Sequence, residues 1–144
     1  DESNSASSLG LRQRESLLVS REILAGFANR FKLAIVTGRP RCDAQYFLEQ
    51  FSLLEFFSVV ICLEDAPSKP APDAVELALQ SLGVDRAWMI GDTVDDIRAA
   101  RAAGVVPIGV IAPGQDPFAS ERVLMAAGAA RVLSNAAQML ELLK

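Results

Sequence analysis

The sequence predicts an α/β fold built on a parallel sheet. Five short apolar runs alternate with amphipathic helical stretches, the loops between them are short, and Gly83, Gly104 and Gly128 each close a helical stretch. That alternation requires right-handed crossovers between parallel strands. The chain of 144 residues has room for one domain and one core, and 51% hydrophobic with 22% charged residues is the composition of an ordinary globular protein.

The elements follow in order. Val19, Ile23, Leu24 and Phe27 recur at helical spacing and predict an amphipathic helix from about Arg14 to Arg30. Leu33 to Val36 predict a short buried strand that ends in Thr37-Gly38-Arg39-Pro40. Ala44, Phe47, Leu48 and Phe51 then share one helical face. Val59 to Leu63 form the second predicted strand, running into Glu64-Asp65. Pro72 opens the third helix, with Val75, Ala78, Leu79 and Leu82 on one face. Ala87 to Ile90 predict a strand buried on both faces. An alanine-rich helix follows, and its run from Ala99 to Ala103 predicts close helix packing. Pro107 to Ile111 form the fourth strand, about Phe118 to Ala127 a helix, and Val132-Leu133 a short final strand. A last helix places Ala136, Met139, Leu140 and Leu143 on one face.

Composition narrows the function. A net charge of −4 and a pI near 4.8 argue against nucleic-acid binding. No apolar run approaches the ~20 residues that span a bilayer, so no membrane partner is expected. Two cysteines, Cys42 and Cys62, give no disulfide framework, which fits a reducing, cytoplasmic setting. The absence of histidine excludes His-based triads and zinc sites that need imidazole. No glycine-rich nucleotide fingerprint follows any strand. The polar, serine-rich start reads as a linker or tail over residues 1–13, with the folded domain over 14–144.

Chemistry concentrates where the predicted strands end. In parallel sheets ligands bind outside the carboxyl ends of the strands. The third predicted strand runs into Asp92, Asp95 and Asp96. Three carboxylates repel one another unless a cation or a donor sits among them, and oxygen ligands suit a hard ion such as Mg²⁺. Capping of the helix N-terminus is the competing reading, strongest for Asp95 and Asp96. The same rim carries the Thr37 hydroxyl and N–H groups near Gly38 at the first strand end, and Lys69 beyond the second. Together these groups can orient and neutralise a phosphoryl group.

At these residues the chain resembles the haloacid dehalogenase-like superfamily, and the resemblance spans nearly all of it. VTGRP looks like the family's second motif, SKPAPD like its third, and GDTVDDIRAARAAG like the acidic fourth motif of the phosphoglycolate-phosphatase-like branch. The resemblance implies a three-layer α/β/α Rossmannoid core and Mg²⁺-dependent hydrolysis of a small phosphorylated metabolite through an aspartyl-phosphate. It makes Thr37 and Lys69 the catalytic groups and Thr37, Gly38 and Lys69 the phosphate-binding set. Asp92 and Asp96 become the metal ligands, with Asp95 a further candidate and Arg39 a surface charge that steers phosphate. The family's first motif, a D-x-D on the central strand, has no counterpart here: Asp1-Glu2-Ser3 has no strand before it and Asp43 lies in a predicted helix. The expectation is therefore a core lacking its first central strand, its nucleophile and its cap, with residues 1–13 a linker or cap remnant. Such a chain is expected to be inactive alone, and to have the gap at its sheet centre filled by the missing N-terminal segment, by a strand of a neighbouring chain or by collapse of the two edges onto each other. A non-catalytic binding or regulatory module of the same fold is the alternative. A two-component receiver domain is excluded by motif order, and a cysteine phosphatase by the lack of Cys-x-x-x-x-x-Arg.

Overall fold

The computed structural model describes residues 21–142. The predicted linker over 1–13, the start of the first helix and Leu143 lie outside the described residues. The elements run α1 (Arg21–Arg30), β1 (Ala34–Val36), α2 (Arg41–Gln50), β2 (Val59–Ile61), α3 (Asp73–Leu82), β3 (Trp88–Gly91), α4 (Val94–Ala102), β4 (Val106–Val110), α5 (Pro117–Ala127), β5 (Arg131–Leu133) and α6 (Met139–Leu142). Single 3₁₀ turns at Leu54–Phe56 and Ala136–Gln138 complete them.

Helix ends fall where the sequence chemistry puts them. Gly83 adopts φ +70° and Gly128 φ +111°, the left-handed conformation in which a glycine carries no Cβ penalty. α5 begins with Pro117 in its first turn, and the Asp116 carboxylate accepts the Phe118 N–H at 3.3 Å. The alanines of α4 pack as their small size suggests: Ala99 and Ala100 are fully buried against Val75 and Val105.

All described strand pairs are parallel, which makes this an α/β fold. The sheet comes in two parts, β1-β2 and β3-β4-β5. In the first, Ala34, Ile35 and Val36 lie opposite Val59, Val60 and Ile61. The Ser58 N–H bonds to Leu33 O and the Thr37 N–H to Ile61 O, both at 2.9 Å, and extend that ladder at each end. In the second, β4 lies between β3 and β5. β1 and β3 do not pair with each other, and among the described residues no strand lies between them.

Helix α3 ties the two parts together. Its Val75 packs in one cluster with Ala99, Ala100 and Val105, while Ala74 and Ala78 pack in another with Ile61. Val36 at the end of β1 touches both clusters. Beside this bridge, the edges of β1 and β3 flank an apolar cleft of about 350 Å³.

The cleft corrects one expectation. β3 is not buried on both faces, because Trp88 and Ile90 are each 44% exposed and alternate with half-buried Met89 and Gly91. Met89 packs against the cluster around Val75 and Ala99, whereas Trp88 and Ile90 line the open cleft. The second strand is also shorter than its apolar run, since Leu63 lies past its end and is 46% exposed.

The packing of α4 gives a direct test. Ala100→Leu adds three heavy atoms at a position with no exposed surface, and overpacking of this kind costs about 1–3 kcal/mol. A lowered denaturation midpoint with an unchanged denaturant slope is expected.

Candidate functional site

The carboxyl ends of β1, β2 and β3 carry the candidate residues, and the structure joins some of them. Lys69, in the loop between β2 and α3, forms an ion pair with Asp96 in the first turn of α4. Both side chains are largely buried. The Lys69 Nζ also donates to the Val36 carbonyl at 3.4 Å, one residue before Thr37. The ammonium therefore reaches the ends of both half-sheets. Removing one member of such a pair leaves an uncompensated charge in a poorly solvated place.

Asp96 does more than meet Lys69. Its second carboxylate oxygen accepts the Thr93 N–H at 3.1 Å, and its own N–H bonds to the Thr93 hydroxyl at 3.2 Å. This is a reciprocal capping box, with Thr93 as N-cap and Asp96 three positions on. Of the two readings of the acidic cluster, helix capping thus accounts for Asp96 in this structure, through the Thr93 partnership. Asp92 and Asp95 are both exposed, Asp92 just past the end of β3 and Asp95 in the first turn of α4.

Gly91 makes the arrangement possible. A Cβ built there falls 2.3 Å from the Asp96 Cβ and 2.6 Å from its Oδ2, so only glycine lets that carboxylate fold back over the strand end. At the end of β1, the Thr37 hydroxyl oxygen accepts the Arg39 N–H at 3.2 Å, which fixes the turn and leaves the hydroxyl hydrogen available to a ligand. Gly38 beside it is exposed, with open space where a side chain would stand.

A second bracket fastens the β1 and β2 loops. The Arg41 guanidinium pairs with Asp65 and donates to the Val60 carbonyl at 3.2 Å. The Arg41 N–H bonds to Glu64 Oε1 at 2.9 Å, and the Leu63 N–H to the Arg39 carbonyl at 2.9 Å. Asp65 also accepts the Cys62 N–H at 2.7 Å. Burial pushes the Cys62 thiol above its ordinary value, with Arg41 opposing and Asp65 and Glu64 adding to the rise.

Among the described residues, no three Asp, Glu or Cys side chains come together as a metal shell. One Asp96 oxygen is held by Lys69 and the other by the Thr93 amide. These residues do not by themselves constitute a complete Mg²⁺ site.

Two contributors escaped the sequence reading. The Thr93 cap had a local signal, a Thr followed three residues on by an acid ahead of the helix. The Arg41 bracket had none, because its partners lie 19–24 residues away in the chain.

The fold and site define a parallel α/β protein with a largely buried lysine–aspartate pair at its strand ends, and comparison with known proteins narrows the class. Residues 19–110 match the family model described as haloacid dehalogenase-like hydrolase. The chain belongs to that family, in its phosphoglycolate-phosphatase-like branch. It is 44% identical over 138 residues to an imidazoleglycerol-phosphate dehydratase of Phytophthora nicotianae, covering 88% of this chain and 30% of that protein. It is 37% identical over 81 residues to a phosphoglycolate phosphatase of Neisseria meningitidis, covering 54% of this chain and 34% of that one. Its fold matches a haloacid dehalogenase family hydrolase from Deinococcus radiodurans solved with bound phosphate and sodium. That match has a TM-score of 0.68 and 30% identity, and covers 76% of this chain and 50% of the other. The chain thus spans about a third of the length of these two curated relatives.

Two measurements check the local geometry. Gly91→Ala forces Asp96 away from its place over β3 and should destabilise the fold by about 1–3 kcal/mol, read as a shifted denaturation midpoint. Iodoacetamide near neutral pH should label exposed Cys42 and spare Cys62, because a buried thiol with a raised pKa stays protonated there. Mass spectrometry of the native chain should show one adduct, and two after denaturation.

Proposed function

We propose that this chain is the phosphate-handling part of a longer Mg²⁺-dependent phosphohydrolase that acts on a small phosphate monoester. The observation that carries the reading is the placement of Lys69: its ammonium meets Asp96 and reaches within 3.4 Å of the carbonyl preceding Thr37. A cation, a hydroxyl and backbone N–H groups at one rim suit the binding of a phosphoryl group. The phosphate bound to the Deinococcus radiodurans relative supports the same chemistry.

In this reading Thr37 donates its hydroxyl hydrogen to a phosphoryl oxygen, and the backbone around Gly38 binds another. Lys69 offsets the negative charge of the phosphoryl group while Asp96 holds the ammonium in place. Asp92, an exposed carboxylate at the strand end, is the ligand this chain offers to Mg²⁺, with Asp95 and Asp96 nearby in the same motif. The ion would neutralise the phosphate and polarise its oxygens. The remaining ligand and the carboxylate that attacks phosphorus come from outside these 144 residues. The chain alone is then expected to show no turnover.

The variants separate fold from chemistry. Asp92→Asn alters an exposed side chain and should change stability by no more than about 0.5 kcal/mol while removing most Mg²⁺-dependent activity of the longer protein. Lys69→Ala should lower kcat on the order of 10²–10³-fold and also destabilise by roughly 3 kcal/mol, since Asp96 loses its counter-charge. The assay is hydrolysis of p-nitrophenyl phosphate with and without EDTA. Full activity in EDTA or in Asp92→Asn contradicts the reading, and so does robust turnover by the 144-residue chain.

A further inference from the structure

We infer that Arg41 and Glu64 are positioning residues for Thr37, holding its hydroxyl where it meets a phosphoryl oxygen. The inference deepens the phosphohydrolase reading and rests on it. It starts from a chain of bonds that ends at that hydroxyl. The Thr37 hydroxyl oxygen accepts the Arg39 N–H at 3.2 Å, so its direction depends on where Arg39 sits. Arg39 is gripped in turn, because its carbonyl accepts the Leu63 N–H at 2.9 Å. Two residues on, the Arg41 N–H is held by both oxygens of Glu64, at 2.9 and 3.1 Å. The Thr37 N–H itself bonds to the Ile61 carbonyl. The backbone of the turn that carries the hydroxyl is therefore fixed to residues 61–64 at Thr37, Arg39 and Arg41.

The Arg41 side chain closes the bracket. Its guanidinium pairs with Asp65 and donates to the Val60 carbonyl at 3.2 Å. Asp65 is locked as well, since it accepts the Cys62 N–H at 2.7 Å. A planar guanidinium with a rigid fork of donors suits this double attachment, because little freedom is lost per bond formed. Lys69 follows Asp65 by four residues in the same loop, and its Nζ returns to the Val36 carbonyl beside Thr37. The bracket thus fixes the hydroxyl relative to the ammonium, the two side-chain groups that would share one phosphoryl group.

These bonds contribute little to the stability of the fold. The Arg41 and Asp65 side chains are 46% and 26% exposed, and solvent screens ion pairs that are open to it. Glu64 is exposed too. Helix α2 takes its cap from a distance. Pro40, its N-cap residue, makes no side-chain cap bond, whereas a serine or aspartate there would cap the helix locally. The carboxylate that meets the Arg41 N–H lies 23 residues away, so capping also ties α2 to the loop after β2. Placement is what this arrangement gains. A misplacement of about 1 Å at a reacting group costs on the order of 10²-fold in rate, so bonds of little stability weigh heavily on turnover.

The test is a double-mutant cycle in the longer protein, with p-nitrophenyl phosphate as substrate at temperatures well below unfolding. Arg41→Gln should lower kcat/KM by up to about 10²-fold while the melting temperature stays close to that of the unaltered protein. Thr37→Val removes the hydroxyl. Adding Arg41→Gln to it should cost no further activity, because Arg41 acts through that hydroxyl. Glu64→Ala should lower kcat/KM as well, and Glu64→Gln should recover most of the loss, since its amide oxygen still accepts the Arg41 N–H. The assignment is overturned if Arg41→Gln keeps full activity, if the Arg41 and Thr37 effects multiply, or if Glu64→Gln loses as much as Glu64→Ala. Each of those results comes from an active protein and leaves the phosphohydrolase reading standing. Absence of phosphatase activity in the unaltered longer protein overturns that reading instead, and the assignment falls with it.

Discussion

The Lys69–Asp96 pair is the contact on which the rest of the rim depends. Lys69 belongs to the loop leaving β2, and Asp96 to the helix that follows β3, so one ion pair spans the two part-sheets at their carboxyl ends. Neither charge is well solvated, and each is tolerable only because the other is there. The pair is held from below as well. Asp96 is clamped by the Thr93 capping box, and the ammonium touches the Val36 carbonyl. A cation fixed in this way keeps its direction when an anionic ligand arrives, which is what preorganised electrostatics require.

Below the rim the two part-sheets are joined by hydrophobic packing rather than by hydrogen bonds. α3 faces both ways, with Val75 on the β3 side and Ala74 and Ala78 on the β2 side. Small residues dominate this junction, and Ala99 and Ala100 let α4 approach closely. The arrangement leaves β1 and β3 held apart by their shared helix layer. An edge strand of this kind is normally shortened, charged or covered. Here β1 and β3 are short but apolar, and Trp88 and Ile90 remain partly open.

The site economises on residues. Asp96 serves as a counter-ion and as half of a helix cap, and Gly91 is needed because that carboxylate occupies the space of its side chain. Asp92, by contrast, is exposed and makes no comparable structural contact among the described residues. The division separates the acids by job: one builds the rim and another faces outward.

Much of this was legible from local pattern. Apolar periodicity placed the helices and strands, and Gly83 and Gly128 marked helix ends, because only tight local stereochemistry is involved. The strand-end positions of Thr37, Lys69 and the three aspartates followed from the parallel topology that the alternation implies. The family was readable because its motifs are short and contiguous. Which acid pairs with Lys69 was not readable, since 27 residues separate the partners and only the packing of α4 against β3 brings them together. Nor was the exposure of Trp88 and Ile90, whose run looks like any buried strand. Side-chain chemistry is written locally, but burial depends on what lies across the sheet, and only the tertiary arrangement of β1 and β3 decided that.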